Sequence, residues 1–284
     1  MTMNYLVTGA TGGFGGYALD YLSQAVAKEN IYALVRSEEK GKALRDAGYN
    51  VRIGDYANEQ SMNDALQGID RVLFVSGEPG NRQEEHENVV NAAKQAGVSF
   101  IVYTSFPDAD HSTSFLSPDH LFTEKALKNS GIQHTFVRNN WYLENELPLI
   151  EGALKSGKFV YMAANGKTGW ALKREYAEAA VNVLVGNDFP EILELSHAPI
   201  TYAELAEALK EASGQSFDVV AADEEGFVDN LVEAGFPESV AEVFVAIQKD
   251  IEASQLDVVS NDFEDVLGKP LTDRVAAIKE LLNA

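Results

Sequence analysis

The first sixteen residues, MTMNYLVTGATGGFGG, constrain this chain more than any other stretch. Tyr5-Leu6-Val7 is a short apolar run of strand-forming residues, and Tyr17 to Ala27 carries apolar residues at helical spacing. Between them stands Gly9-x-x-Gly12-x-x-Gly15. Strand, glycine turn and helix in that order are the context of a dinucleotide-binding motif, whereas a bare glycine pattern would be no more than a flexible turn. Gly9 permits a tight turn off the strand. Gly12 has no side chain to hold a pyrophosphate away, and Gly15 lets the helix pack close. The helix N-terminus then offers free N–H groups and the positive end of its dipole to phosphates.

Strand and helix signals alternate for the next 130 residues. Ile31 to Val35 reads as a second strand, with Arg36 at its end and Ser37 as N-cap of the helix that follows. Asn50 to Asp55 reads as a third strand, Arg71 to Val75 as a fourth, Phe100 to Thr104 as a fifth and Gln133 to Val137 as a sixth. Helices are expected at Glu59–Leu66, Arg82–Ala96 and His120–Asn129. Such alternation without hairpin signals predicts an α/β fold, a Rossmann-type doubly wound parallel sheet whose ligands sit at the carboxyl ends of the strands. Arg36 stands where an NAD site places an acid for the ribose. Its guanidinium can pair a 2′-phosphate, so NADPH is the expected cofactor. Asp55 suits either the adenine or the cap of the Glu59 helix.

Past residue 146 the pattern changes. Strands at Lys158–Ala163, Ile192–Leu195 and Phe217–Val220 are set among helices, one of them opened by a Thr201-x-x-Glu204 capping box. The reading divides the chain into a Rossmann domain at 1–145 and a smaller C-terminal α/β domain at 146–284, packed on the first and open to being interleaved with it. Forty-four acids against 22 Lys+Arg give a net charge of −22, which disfavours nucleic acid and anionic membrane as partners. No cysteine is present, so disulfides and a cysteine nucleophile are excluded. No apolar run approaches the roughly 20 residues of a membrane span. With the first strand starting by residue 5, no signal peptide is expected, and a cytoplasmic protein is. His111 and His120 lack a third ligand nearby, so no metal site is expected.

The segments VTGATGGFG, Val35-Arg36, Gly54-Asp55-Tyr56, Tyr103-Thr104-Ser105 and Val137-Arg138-Asn139-Asn140-Trp141-Tyr142-x-Glu144-Asn145 together resemble the atypical short-chain dehydrogenase/reductases of the NmrA-like family, and within it the quinone-reducing branch. The resemblance implies NADPH in the cleft. It implies cofactor contacts at Gly9, Ala10, Thr11, Gly12, Gly13 and Phe14, at Arg36, at Ser76, Gly77 and Glu78, and at Asn140, Trp141, Tyr142, Leu143, Glu144 and Asn145. A basic residue just before the Glu175 helix contacts cofactor in the family. Lys173 and Arg174 both match, and the spacing to Tyr176 selects Lys173. Asn140 departs from the pattern, which expects glycine there.

Ordinary short-chain dehydrogenases use a Tyr four residues before a Lys. Lys125 lies on the corresponding helix and is the candidate for a catalytic role, but Leu121 occupies the tyrosine's place. Hydride addition to a ketone makes a strongly basic alkoxide that needs an acid at hand. Addition to a quinone makes a hydroquinone anion about as basic as tyrosinate, which can take its proton from water. The expected function is therefore NADPH-dependent two-electron reduction of a small-molecule quinone, with a homodimer left open. The other reading is a non-catalytic NADP(H) sensor that regulates a protein partner.

Overall fold

The computed structural model describes residues 3–283. In chain order the elements are β1 (Tyr5–Val7), α1 (Gly13–Ala25), β2 (Ile31–Val35), α2 (Glu38–Asp46), β3 (Asn50–Ile53), α3 (Glu59–Leu66), β4 (Arg71–Phe74), α4 (Arg82–Ala96), β5 (Phe100–Ser105), α5 (Ser117–Ser130) and β6 (Gln133–Asn139). There follow α6 (Leu147–Ser156), β7 (Lys158–Tyr161), β8 (Lys167–Thr168), α7 (Lys173–Val185), β9 (Ile192–Leu195), β10 (Ile200–Thr201), α8 (Tyr202–Ser213), β11 (Asp218–Ala221), α9 (Glu224–Glu233), α10 (Glu238–Glu252), α11 (Asp262–Leu267) and α12 (Arg274–Leu282).

Seven strands form one parallel sheet in the order β3-β2-β1-β4-β5-β6-β9. The expected doubly wound sheet is what forms. Its strands are apolar at odd and even positions alike, because both faces are covered. Tyr5, Val7, Leu73, Val102 and Val137 pack with α1, α7 and α11 on one face. Leu6, Val72, Phe74, Ile101, Tyr103 and Phe136 pack with α3, α4 and α5 on the other. The chain leaves β1 toward β2 on one side and later returns to place β4 on the other. This reversal opens a crevice at the carboxyl ends of β1 and β4.

Residues beyond 146 do two things. Some complete the sheet: β9 pairs with β6 from Phe136↔Ile192 to Asn139↔Leu195, and α7 packs along α1. The others build a second apolar cluster from α6, β7, α8, α9, α10 and α12 over the crevice side. There β7 pairs with β11 in parallel, and β8 pairs with β10 antiparallel.

Several boundaries differ from the expected ones. β3 stops at Ile53, short of Asp55, while β6 runs on to Asn139. Arg138 can sit within that strand because Glu124 of α5 takes its guanidinium in a two-pronged pair (2.9 and 2.7 Å), with Asp110 and Glu194 completing the set. α1 begins at Gly13, four residues before its apolar repeat does, and α5 begins at Ser117 with Pro118 in its first turn. Lys167, which follows Gly166, pairs with Thr201. Among the described residues no helix is long and apolar enough to cross a membrane.

Candidate cofactor and acceptor site

The glycine turn has the geometry its sequence implies. Gly9 takes φ +59°, a conformation most side chains resist. A β-carbon on Gly15 would lie 2.2 Å from the carbonyl oxygen of Gly9, so only glycine lets α1 start this close to the turn. Gly12 is the N-cap, and it brings no side chain to cap the first-turn N–H groups. No acid lies in that turn. The N–H groups of Gly13, Phe14 and Gly15 and the dipole's positive end therefore face the crevice without a competing anion. Gly9, Thr11, Gly12 and Gly13 are exposed there, while Ala10 and Phe14 are buried beneath.

The Asn139–Asn145 segment and the start of α7 are joined opposite this turn. Tyr142 bridges Ala171 in parallel, and the Leu143 N–H donates to the Ala171 carbonyl at 2.9 Å. Glu144 accepts the Lys173 backbone N–H at 2.9 Å on both carboxylate oxygens. This holds the Lys173 side chain over the Tyr142 ring, its ammonium 5.4 Å from the centroid. A β-carbon on Gly13 would meet the Lys173 side chain at 3.5 Å, so lysine and glycine turn are neighbours. The Tyr142 ring also faces Phe14 (6.2 Å) and Tyr176 (5.1 Å). Its hydroxyl accepts from the Asn139 amide at 3.1 Å, and burial pushes that phenol up to about 12. Arg174, the other candidate base, points elsewhere and pairs Glu280 on α12.

The remaining predicted positions divide. Arg36 is exposed at the end of β2 and, among the described residues, forms no ion pair or side-chain hydrogen bond. Ser76, Gly77 and Glu78 follow β4 at the crevice. The Ser76 N–H donates to Thr104 and the Gly77 N–H to His86 (2.9 Å), while Glu78 is exposed. Asn140, Trp141 and Asn145 face the second cluster instead of the glycine turn. The Asn140 amide donates to Ser196 and to the Leu256 carbonyl, and Trp141 and Asn145 line an apolar hollow. Asp55 accepts the Ala57 N–H, and the cap of α3 is Asn58. Lys125 is exposed on α5; the buried carboxylate that ties this helix to the strand ends is its neighbour Glu124, which also accepts from Ser105 at 2.6 Å.

Sequence reasoning missed two groups. One is a buried polar set behind the Ser76–Gly77 loop, in which Arg82 donates to the Gly77 carbonyl and to His120 while Tyr103 contacts His120 at 2.9 Å. His120 is thus buried, and no cluster of three metal-ligating side chains occurs among the described residues. The other is Glu146, buried where α6 begins. A separate hollow of about 460 Å³ lies at the amino ends of β4, β5 and β6, away from all of these groups.

An anion-accepting glycine turn, a lysine beside it and a crevice at a parallel sheet's switch point define a Rossmann-type nucleotide-binding protein. Residues 9–158 match the NAD(P)H-binding family, and the chain belongs to it. It is 36% identical to quinone oxidoreductase 2 of Escherichia coli over 98% of both chains. The solved complex of the E. coli NADPH-dependent quinone oxidoreductase with NADPH superposes with a TM-score of 0.92 over 98% of this chain and 100% of that one, at 35% identity. A triphenylmethane reductase of Citrobacter sp. superposes with a TM-score of 0.95 at 34% identity, covering 99% of this chain and 100% of that one. An NmrA-like oxidoreductase of Aspergillus flavus is 27% identical over 99% of this chain and 95% of its own, in accord with the family likeness of the motifs.

Proposed function

We propose that this chain is an NADPH-dependent reductase that transfers a hydride to quinones. Bound NADPH supplies the hydride. The chain's own residues bind and orient: the first turn of α1 and Lys173 meet the pyrophosphate, Arg36 pairs the 2′-phosphate, and Tyr142 with the Ser76–Gly77 backbone borders the nicotinamide end. The observation that carries the choice of quinone is Leu121. It occupies the place of the tyrosine that ketone-reducing enzymes use as acid, with Lys125 exposed four residues on. Tyr103, on β5, is buried and engaged with His120. A hydroquinone anion tolerates such a site, since it is no more basic than tyrosinate. The E. coli relative's name and its NADPH complex support the same reading.

The test is loss of NADPH absorbance on adding 1,4-benzoquinone, together with nucleotide titrations of wild type and Arg36→Ala. Quinone turnover is expected, with no turnover of simple aliphatic ketones. Arg36→Ala should weaken NADPH binding by about 1.5–3 kcal/mol, roughly ten- to a hundred-fold, and leave NADH binding alone. Equal losses for the two nucleotides would remove Arg36 from the phosphate site. Tight NADPH binding without turnover of any quinone would make the sensor the better description.

A further inference from the structure

Strand β4 ends at Phe74, yet the backbone beyond it is held as tightly as a strand. The N–H groups of Val75, Ser76 and Gly77 are each taken by a side chain: Thr8 accepts the first at 2.9 Å, Thr104 the second at 2.8 Å and His86 the third at 2.9 Å. On the carbonyl side the Tyr56 hydroxyl donates to Val75 and Arg82 Nε to Gly77, both at 2.9 Å. A loop leaving a sheet ordinarily meets part of this demand with water, which lets it move. Here buried side chains meet it from behind.

Two of these holds come from one helix. Arg82 and His86 stand four residues apart on α4, so they share a face, and both are buried. Arg82 forms no ion pair among the described residues; its acceptors are the Gly77 carbonyl and His120 Nε2 (3.1 Å). The fold therefore buries a guanidinium for the sake of its planar fork, not for a salt bridge. His86 is aimed by α5. The Thr123 hydroxyl donates to the Asp119 carbonyl at 2.9 Å, so toward His86 Nδ1 (2.8 Å) its oxygen can only accept. That places the ring hydrogen on Nδ1 and leaves Nε2 bare for the Gly77 N–H. A β-carbon on Gly77 would lie 3.5 Å from His86 Nε2 and 3.6 Å from the Tyr56 ring, which shows how closely the set backs the loop.

We propose that Arg82 and His86 are positioning residues for hydride transfer: they clamp the Gly77 backbone from behind, and the Ser76–Gly77 segment becomes a rigid shelf for the nicotinamide half of NADPH. The proposal rests on the reading of this crevice as a reductase site. Hydride leaves C4 of the nicotinamide, which carries two hydrogens on opposite faces. A ring held against a fixed shelf gives up one of them alone. A loosened shelf lets the ring turn about its glycosidic bond and give up either.

The experiment compares wild type, His86→Leu, His86→Gln and Arg82→Met. Each is titrated with NADPH and with adenosine 2′,5′-bisphosphate, which keeps the 2′-phosphate and lacks the nicotinamide. Each is also run with benzoquinone and NADPH deuterated at one or the other C4 position. Wild type should transfer from one position only. His86→Leu and Arg82→Met should transfer from both and bind NADPH about ten-fold more weakly, as one lost buried hydrogen bond implies, with the bisphosphate changed less than about two-fold. His86→Gln should restore one-sided transfer, because its amide oxygen still accepts the Gly77 N–H. A merely structural role would lower the urea midpoint and leave the transfer one-sided. One-sided transfer in every loss variant that folds would overturn the proposal, and so would equal weakening of the two nucleotides or a His86→Gln protein no better than His86→Leu. Arg82→Met carries the same test should His86→Leu not fold. If wild type reduces no quinone, the reductase reading fails and the paired titrations still decide this one: a loss confined to NADPH upholds the shelf, and a loss shared with the bisphosphate removes it.

Discussion

His86 and His120 are neutral because each must accept a hydrogen bond at Nε2. The Gly77 backbone N–H can only donate, and so can the Arg82 guanidinium, so both rings carry their hydrogen on Nδ1. Burial, and then Arg82, lowers His86 to about 3; the same two causes hold His120 well below the usual histidine range. The unfolded chain protonates its histidines near pH 6.5. Stability is therefore complete above that value and is lost as pH falls from 6.5 toward 3, His86 alone accounting for about 2 kcal/mol between pH 7 and pH 5. Glu146 works in the opposite sense. Its folded value of about 7 exceeds that of an unfolded glutamate, so it takes up a proton in the folded state first, and stability rises as pH falls through the same interval. Urea unfolding at pH 7 and pH 5 separates the two. His86→Gln should flatten the acid loss relative to wild type, and Glu146→Gln should steepen it by about 2 kcal/mol. A Glu146→Gln protein with the wild-type pH profile would show that this carboxyl titrates normally.

At the scale of elements, α7 depends on one buried side chain. Glu175 accepts the Leu172 N–H at 3.2 Å, and its other oxygen accepts the Thr272 N–H and hydroxyl, both at 2.7 Å. It thus caps its own helix and anchors the segment before α12. Glu175→Ala leaves three donors without an acceptor and should cost about 3 kcal/mol, with Glu175→Gln costing less because an amide oxygen still accepts. NADPH binding should weaken in the alanine variant as well, since Lys173 sits in the turn that Glu175 fixes. A urea midpoint and a nucleotide titration measure both effects. The existence of α7 was legible from its apolar spacing, and so were the long helices and the seven sheet strands, because periodicity over many residues averages out local exceptions. The two-residue strands β8 and β10 offered no period to read. The starts of α1, α5 and α7 lay among glycine, proline and charged residues that carry none. The crevice loops could be placed because the strand ends could. Glu146 could not, since its partners Trp170 and Tyr202 are 24 and 56 residues away and one acid ahead of Leu147-Pro148 reads as a solvated helix start.

At the scale of the molecule, the sheet needs residues from both ends of the chain. Strand β6 would be an open edge without β9, exposing the backbone groups that now pair from Phe136 to Asn139. The α1 face would lose more. Ala18, Leu19 and Leu22 share one apolar cluster with Tyr176, Ala177, Ala180, Val181 and Leu184 of α7, and these α7 residues are all buried. Burying a large aliphatic side chain contributes about 1.5–3 kcal/mol, so removing one helix from this face outweighs the whole net stability of an ordinary domain, about 5–15 kcal/mol. We therefore predict that the fragment 1–145, although it contains every residue of the glycine turn, does not fold on its own. It should lack a near-ultraviolet circular dichroism signal, bind a hydrophobic dye and fail to bind NADPH. By the same argument the full chain should unfold in a single calorimetric transition whose van't Hoff and calorimetric enthalpies agree. Two resolved transitions, or a soluble 1–145 fragment that binds NADPH with near-native affinity, would mean that α7 and β9 dock on a core already complete without them.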